Sequence, residues 1–164
     1  GKAAPPDPAQ VGRHAAMKMV LPGARPVIAP DPSLNRWHSA AVGQALWLSV
    51  NDPTATKRES LTFMGQAVSL TARRNGLSFN MGDGHTVHCA ATTPWSPSVE
   101  PGSPSPTCGY TYQQAAPAGG YKVTAITSWD VTWSVLGHTG TVHIEKAGGQ
   151  MLPVGELESV VTRR

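Results

Sequence analysis

A run of fifteen residues, Tyr121–Val135, alternates in side-chain character with a period of two. Its odd positions read Tyr, Val, Ala, Thr, Trp, Val, Trp, Val, whereas its even positions read Lys, Thr, Ile, Ser, Asp, Thr, Ser. Successive side chains of a β-strand point to opposite faces, so the pattern predicts one long strand with both tryptophans on the buried face. A helix would bring Trp129 and Trp133 together but would scatter the valines. We therefore predict a long strand packed against a facing layer.

Composition favours an all-β protein rich in turns. The chain has 164 residues, the size of one domain with an appendage, and contains 17 glycines and 15 prolines but only 14% charged residues. Its net charge of +3 is not concentrated in one dense patch. A nucleic-acid-binding protein is expected to carry a basic stripe with base-stacking aromatic residues nearby. The sequence therefore argues against nucleic acid as a partner.

The N-terminal segment carries the signals of a short helix. Asp7 is a suitable N-cap and Pro8 suits the first helical position. Val11, Ala15 and Met19 recur four residues apart and form a narrow apolar stripe. A helix of about 13 residues is marginal in isolation, so it must dock either on its own sheet or on a partner protein.

A proline-rich stretch follows the helix and ends near residue 36. Prolines at positions 22, 26, 30 and 32 favour an extended strap that lies across a surface. We therefore divide the chain into residues 1–36, an N-terminal helix with a Pro-rich strap, and residues 37–164, an antiparallel β-sandwich domain.

Turn signals divide the middle of the chain into short strands. Residues 67–72 alternate in polarity, and Asn75-Gly76 is typical of a two-residue hairpin turn. Leu77, Phe79 and Met81 then share one face of the next predicted strand, which ends at a second tight turn, Gly-Asp-Gly at residues 82–84.

The two cysteines, Cys89 and Cys108, fall on neighbouring predicted strands. They predict a disulfide and an export compartment, the alternative being two buried free thiols in a cytosolic protein. The bridge would close a loop rich in Pro, Ser and Thr. By restricting the unfolded chain, it would stabilise the fold by about 3 kcal/mol.

Three segments share a distinctive arrangement: residues 79–84 read Phe-Asn-Met-Gly-Asp-Gly, residues 110–112 read Tyr-Thr-Tyr and residues 120–124 read Gly-Tyr-Lys-Val-Thr. Together they resemble a PKD-type (polycystic kidney disease repeat) domain, which has an immunoglobulin-like sandwich fold. The resemblance covers roughly residues 45–145, with Phe, Asn and Met at positions 79–81 where the family usually has an aromatic residue, Asp and an aromatic residue. Together with the cysteine pair it extends to secreted PKD-like proteins of actinomycetes. It implies a secreted, extracellular, non-catalytic binding or spacer module.

The polar residues do not form a recognisable reaction centre. Asp83 lies between two glycines, where its side chain is expected to accept turn N–H groups and stabilise the turn. Calcium requires six or more oxygen ligands, which this turn does not supply, and His85 and His88 would point to opposite faces of a strand. The sequence also contains no nucleophile elbow, zinc-protease pattern or phosphate-binding glycine loop. We therefore expect no catalytic residue, metal or cofactor, and no enzyme activity.

Trp95 is the leading candidate for a binding residue, because it lies in the loop that the cysteines would close. One hypothesis is a secreted interaction or adaptor protein in which residues 7–36 tie the sandwich to a protein partner. The alternative is a carbohydrate-binding module that uses Trp95 with Tyr110 or Tyr112, and a cell-surface spacer is a third. No apolar run is long enough to predict an integral membrane segment.

Overall fold

The computed structural model describes residues 6–156 and confirms a mostly β fold with one short N-terminal helix. Helix α1 spans Pro8–Lys18, and a 3₁₀ turn spans Pro32–Leu34. The strands are β1 Pro26–Ala29, β2 Ala40–Ala41, β3 Leu46–Val50, β4 Thr56–Phe63, β5 Gln66–Asn80, β6 Thr86–Cys89, β7 Gly109–Tyr110, β8 Tyr121–Val135, β9 His138–Leu152 and β10 Val154–Gly155.

The long aromatic strand is confirmed with its predicted bounds. Strand β8 spans Tyr121–Val135, and all of its odd positions are buried. Its even positions are exposed or half-buried, as expected for a strand with one face on the core. Trp129 and Trp133 accordingly lie in the core.

The strands form one large sheet and two small ones. In the large sheet the order is β4-β5-β8-β9, and β6 also pairs with β5. The second sheet has the order β1-β3-β7, with β1 antiparallel to β3. The two residues of β10 pair in parallel with β2.

The chain forms two compact units that are discontinuous in sequence. We call residues 6–22, 54–75 and 127–146 the helix unit, and residues 23–53, 76–126 and 147–156 the disulfide unit. Each of the three 15-residue strands contributes residues to both units. The sequence-based division at residue 36 stays a prediction, and its last eight residues, 157–164, lie outside the described residues.

The core of the helix unit lies between α1 and one face of its sheet. Asp7 caps the helix by accepting the N–H of Ala9 at 3.0 Å. Val11 and Ala15 are buried in one cluster with Trp129. The backbone of Gly12 approaches Trp133 so closely that a Cβ there would lie 2.2 Å from Cε3 of the indole. The helix therefore docks on the chain's own sheet, which decides between the two alternatives left by the sequence.

The disulfide unit is a two-layer sandwich. One layer contributes Ile28 and Leu48, and the other contributes Phe79 and Val123 to the same buried cluster. Ile28 belongs to the predicted proline-rich strap, which here forms β1 and pairs with β3 along residues 26–29. The strap is thus an integral strand of this sandwich.

The predicted hairpin at Asn75-Gly76 is wrong, because β5 runs through both residues. Buried positions alternate up to Ala72 and resume at Leu77, so the pattern shifts by one residue between them. Such a shift is typical of a β-bulge, in which one strand carries an extra residue. A glycine within a strand often marks such a bulge. The Asn-Gly pair therefore changes which side chains face inward without reversing the chain.

Two other hairpin turns of the chain contain no asparagine. Met64-Gly65 joins β4 to β5, and Leu136-Gly137 joins β8 to β9. All four residues have positive φ, with 52° at Met64 and 49° at Leu136. This is the type I′ geometry that matches the twist of two-residue hairpins.

Candidate functional site

The loop of residues 90–107 is closed by the Cys89–Cys108 disulfide and by its own hydrogen bonds. The sulfur atoms are bonded at 2.01 Å. Across the loop, the hydroxyl oxygens of Thr93 and Thr107 lie 2.7 Å apart. The hydroxyl of Ser103 donates to the carbonyl of Glu100 at 2.7 Å. The disulfide and these hydrogen bonds therefore constrain a loop that has no helix or strand of its own.

This loop and strand β3 enclose a pocket of about 330 Å³, which lies entirely within the disulfide unit. Trp47 and Trp95 are its two aromatic residues. The remaining lining is mostly apolar and consists of Pro30, Gln44, Ala45, Pro97, Val99, Glu100, Pro101, Gly102 and Ser103. A volume of this size lies at the lower end of the range for ligand sites, about 300–1,000 Å³.

Trp47 anchors the loop over the strand. Its indole N–H donates to the carbonyl oxygen of Ser103 at 2.9 Å. Trp47 is buried but belongs to neither core cluster, whereas Trp95 is half-buried. A preformed pocket with rigid aromatic walls can accept an apolar side chain at a small entropic cost.

The other two predicted binding residues do not join Trp95. Tyr110 lines a different depression, with Leu46 and Pro104, and Tyr112 is fully buried. The Tyr112 hydroxyl donates to the carbonyl of Met81 at 2.7 Å, and its ring stacks on Tyr121 at 4.6 Å. Tyr112 is thus a core residue with no free face for a ligand, and an exposed row of Trp95, Tyr110 and Tyr112 does not form.

Asp83 links the glycine turn to Tyr110. One carboxylate oxygen accepts the N–H of His85 at 3.1 Å, and the other accepts the Tyr110 hydroxyl at 2.5 Å. Burial alone would raise the pKa of Asp83, but the hydrogen bonds from Tyr110 and His85 outweigh it and hold the pKa below 3.8. Burial, followed by the bond to Asp83, raises the pKa of Tyr110. This geometry ties β7 to the turn at residues 82–84.

Replacing Tyr110 by Phe is expected to destabilise the protein by about 1.5 kcal/mol at neutral pH, because it removes a hydrogen bond to a charged group. The folded-state pKa of Asp83 lies below 3.8. Its stabilisation is therefore complete above that value and is lost as the pH falls through the folded-state pKa. The difference between wild type and Tyr110→Phe should shrink progressively as the pH is lowered below 3.8, measured by chemical denaturation.

Tyr121→Phe is the matched control, because the Tyr121 hydroxyl donates to the neutral carbonyl of Gln114 at 2.8 Å. Its cost should change little with acidification. A Tyr110→Phe difference that stays constant between neutral and acidic pH would contradict the role assigned to Asp83.

A second, wider depression of about 660 Å³ was not predicted from the sequence. Trp37, His38 and Glu156 line it together with residues 115–120. The Arg36 guanidinium lies 5.7 Å from the centre of the Trp37 ring. The only sequence signal for it is a tryptophan beside an arginine at the end of the proline-rich stretch. The glycines and alanines among its other lining residues carry no sequence pattern of their own.

A further polar cluster lies on the strands of the helix unit. On the helix unit, Asp130 accepts from Asn75 at 2.6 Å and lies 3.0 Å from Nδ1 of His143. The bond to His143, then that to Asn75, lowers the pKa of Asp130. Within residues 6–156, no group of three His, Cys, Asp or Glu side chains is placed to hold a metal ion.

No protein-family model matches the chain, and no curated protein or solved structure matches it either. The resemblance to PKD-type domains therefore stays a hypothesis. In the described part of the chain, no helix has the length and apolar character required to cross a membrane.

Proposed function

We propose that this chain is a non-catalytic, secreted interaction protein that binds a protein partner in the pocket between Trp47 and Trp95. The observation that carries the proposal is the pocket itself, with two tryptophans and mostly apolar walls in about 330 Å³. Tryptophan is enriched among the residues that dominate binding energy at protein interfaces. The occupant we propose is an apolar side chain of the partner.

The closed loop supports the same proposal. Loops that carry binding residues are most effective when a rigid scaffold holds them. Here the disulfide holds both ends of the loop, and the Trp47 indole holds Ser103 at 2.9 Å. A disulfide is also typical of secreted proteins, which supports an extracellular location. A PKD-like module in an extracellular assembly would fit this combination.

Trp95→Ala is expected to abolish recovery of the partner while leaving the protein folded. The affected ring is half-buried and lies outside both core clusters. Truncating a central interface tryptophan costs 2 kcal/mol or more, which lowers affinity at least about 30-fold. Tagged wild-type and variant proteins would be incubated with the secreted fraction of the source cells and compared by quantitative mass spectrometry.

Trp37→Ala is the matched control, because it truncates another half-buried tryptophan of the same unit in a different depression. The partner should be recovered with Trp37→Ala at the wild-type level. Equal recovery with wild type and a folded Trp95→Ala variant would contradict the proposal.

Carbohydrate binding is the second candidate, and the Trp37 depression favours it. An aromatic ring beside an open, partly polar depression of about 660 Å³ could stack on a sugar. In polysaccharide pull-down, this alternative predicts that Trp37→Ala loses retention and Trp95→Ala keeps it. A spacer function would leave both variants like wild type in both assays.

A further inference from the structure

The two tryptophans of the Trp47–Trp95 pocket differ in what their indole nitrogens can do. The N–H of Trp47 already donates to the carbonyl oxygen of Ser103 at 2.9 Å, so Trp47 offers a partner only its ring. Within residues 6–156, the indole N–H of Trp95 makes no hydrogen bond. The only buried side-chain nitrogen or oxygen atom without a partner in these residues is Oε1 of Gln66, so the Trp95 N–H is accessible to solvent. Trp95 therefore combines an apolar ring with an available donor.

Gln44 supplies a second available donor to the same pocket. Its side-chain Oε1 accepts the backbone N–H of Ala41 at 3.0 Å, which fixes the orientation of the amide. The Nε2 group is left to donate, and it finds no acceptor in the described part of the chain. The pocket thus suits an occupant that brings hydrogen-bond acceptors.

Glu100 gives the pocket its charge. Among the described residues that line the pocket, Glu100 is the only charged one. Its side chain is exposed, and the carboxylate makes no hydrogen bond or ion pair within residues 6–156. Complementary charges across an interface favour the correct partner and fix its register. A cationic residue in the occupant would therefore be favoured beside the apolar walls.

A proline-rich segment in polyproline II conformation matches these features. Its backbone has no internal hydrogen bonds, so its carbonyl oxygens are free to accept. Proline has no N–H, so burying it leaves no backbone donor without a partner. A helical segment would offer few carbonyls, because its own N–H groups engage them. Proteins that recognise proline-rich segments use grooves lined by aromatic rings, and the preformed conformation limits the entropy lost on binding.

We propose that the Trp47–Trp95 pocket binds a proline-rich partner segment in polyproline II conformation that carries a lysine or arginine beside its prolines. This inference rests on the proposed function, because it names the chemistry of the partner for the same pocket. The Trp95 indole and the Gln44 amide donate to backbone carbonyls of the segment. Its proline rings pack on the two indoles, and Glu100 pairs with its cation.

The test is an NMR titration of the isotope-labelled full chain with a synthetic oligoproline peptide that carries arginines at one end. The indole N–H signal of Trp95, identified by its absence in Trp95→Phe, should shift on binding. The Trp47 signal should shift less, since its N–H stays bonded to Ser103. A peptide of the same length and charge, with glycine and serine in place of proline, should not bind.

Three variants separate the proposed contacts. Trp95→Phe keeps an aromatic ring but removes the donor, so it should weaken binding about fivefold. Glu100→Gln should weaken binding of the arginine-bearing peptide about threefold at low salt and leave binding of an uncharged oligoproline unchanged. Trp37→Phe is the matched control and should bind like wild type, because Trp37 lines a different depression.

The inference is overturned if the oligoproline peptide does not bind folded wild type. Equal binding of the peptide without proline would also overturn it, since the pocket would then not select polyproline II conformation. A Trp95→Phe variant that binds as tightly as wild type would exclude the indole as a donor and contradict the proposed contacts. None of these results decides the proposed function, which depends on whether Trp95→Ala loses the natural partner.

Discussion

Deletion of residues 1–22 is expected to unfold the helix unit. Val11, Met19 and Leu21 are buried in its core cluster, and the helix covers the sheet face that carries Trp129 and Trp133. Burial of each large apolar side chain contributes about 1.5–3 kcal/mol, whereas a typical domain has a net stability of about 5–15 kcal/mol. Loss of all three side chains removes much of that margin. A red shift of tryptophan emission and a loss of cooperative unfolding would report the result.

A point substitution at Gly12 tests the packing of α1 on Trp133. Helix propensity alone predicts that it stabilises the protein, whereas packing predicts that it destabilises it. In a helix, Gly→Ala ordinarily stabilises by about 1 kcal/mol. At Gly12, however, the new Cβ would lie 2.2 Å from Cε3 of Trp133. Overpacking of this kind costs about 1–3 kcal/mol, so Gly12→Ala should destabilise the protein.

Met17→Ala is the control on the same helix, because Met17 is 59% exposed. It should change the free energy of unfolding by no more than about 0.5 kcal/mol. A Gly12→Ala variant more stable than wild type would show that α1 is not packed on Trp133. A deletion variant that unfolds cooperatively with wild-type stability would show that residues 1–22 are dispensable. The predicted domain boundary at residue 36 would then be favoured.

Replacing both cysteines by alanine is expected to lower the free energy of unfolding by about 3 kcal/mol. The bond joins residues 19 positions apart, and closing a loop of this length restricts the unfolded chain by about that amount. Chemical denaturation would measure the loss. The variant should also recover less of the protein partner, because the loop that carries Trp95 would no longer be held at both ends.

Reduction of the wild-type protein provides the control for the cysteine variant. Reductant should bring wild type close to the stability of Cys89→Ala/Cys108→Ala and should not affect the variant. The backbone N–H of Leu48 donates to the carbonyl of Cys108 at 3.0 Å, so β3 keeps this attachment in the variant. A loss below about 1 kcal/mol, or full partner recovery, would contradict the role given to the disulfide.

Local pattern was sufficient to predict the most regular elements. Strand β8 has its predicted bounds because every odd side chain faces the core along its whole length. Helix α1 begins at Pro8 after an Asp7 cap, as its local signals indicate. In both cases the information lies within a few residues of the element itself.

Prediction failed where two local structures share one pattern. Asn-Gly can lie between two alternating runs in a hairpin and also in a bulge. In β5 the buried positions are even-numbered up to Ala72 and odd-numbered from Leu77. Only the pairing of β5 with its neighbours distinguishes them. The turn type at residues 64–65 and 136–137 is not predictable from local sequence, because Met and Leu are atypical of the first position of a type I′ turn.

The candidate site was only partly predictable for a related reason. The place of Trp95 between the two cysteines predicts a binding role, and Trp95 lines the pocket. Trp47 joins it only through the fold, since its indole donates to Ser103, 56 positions further along the chain. Tyr112 lies just beyond β7, where the strand pattern could not show that its ring enters the core.

Site-specific photo-cross-linking tests the proposed partner site most directly. A photoreactive amino acid at Val99 would sit on the wall of the Trp47–Trp95 pocket, and one at Ala118 would sit on the wall of the Trp37 depression. Binding in the first pocket predicts a covalent protein adduct from position 99 and none from position 118. Absence of an adduct at position 99, or equal adducts at both positions, would contradict it.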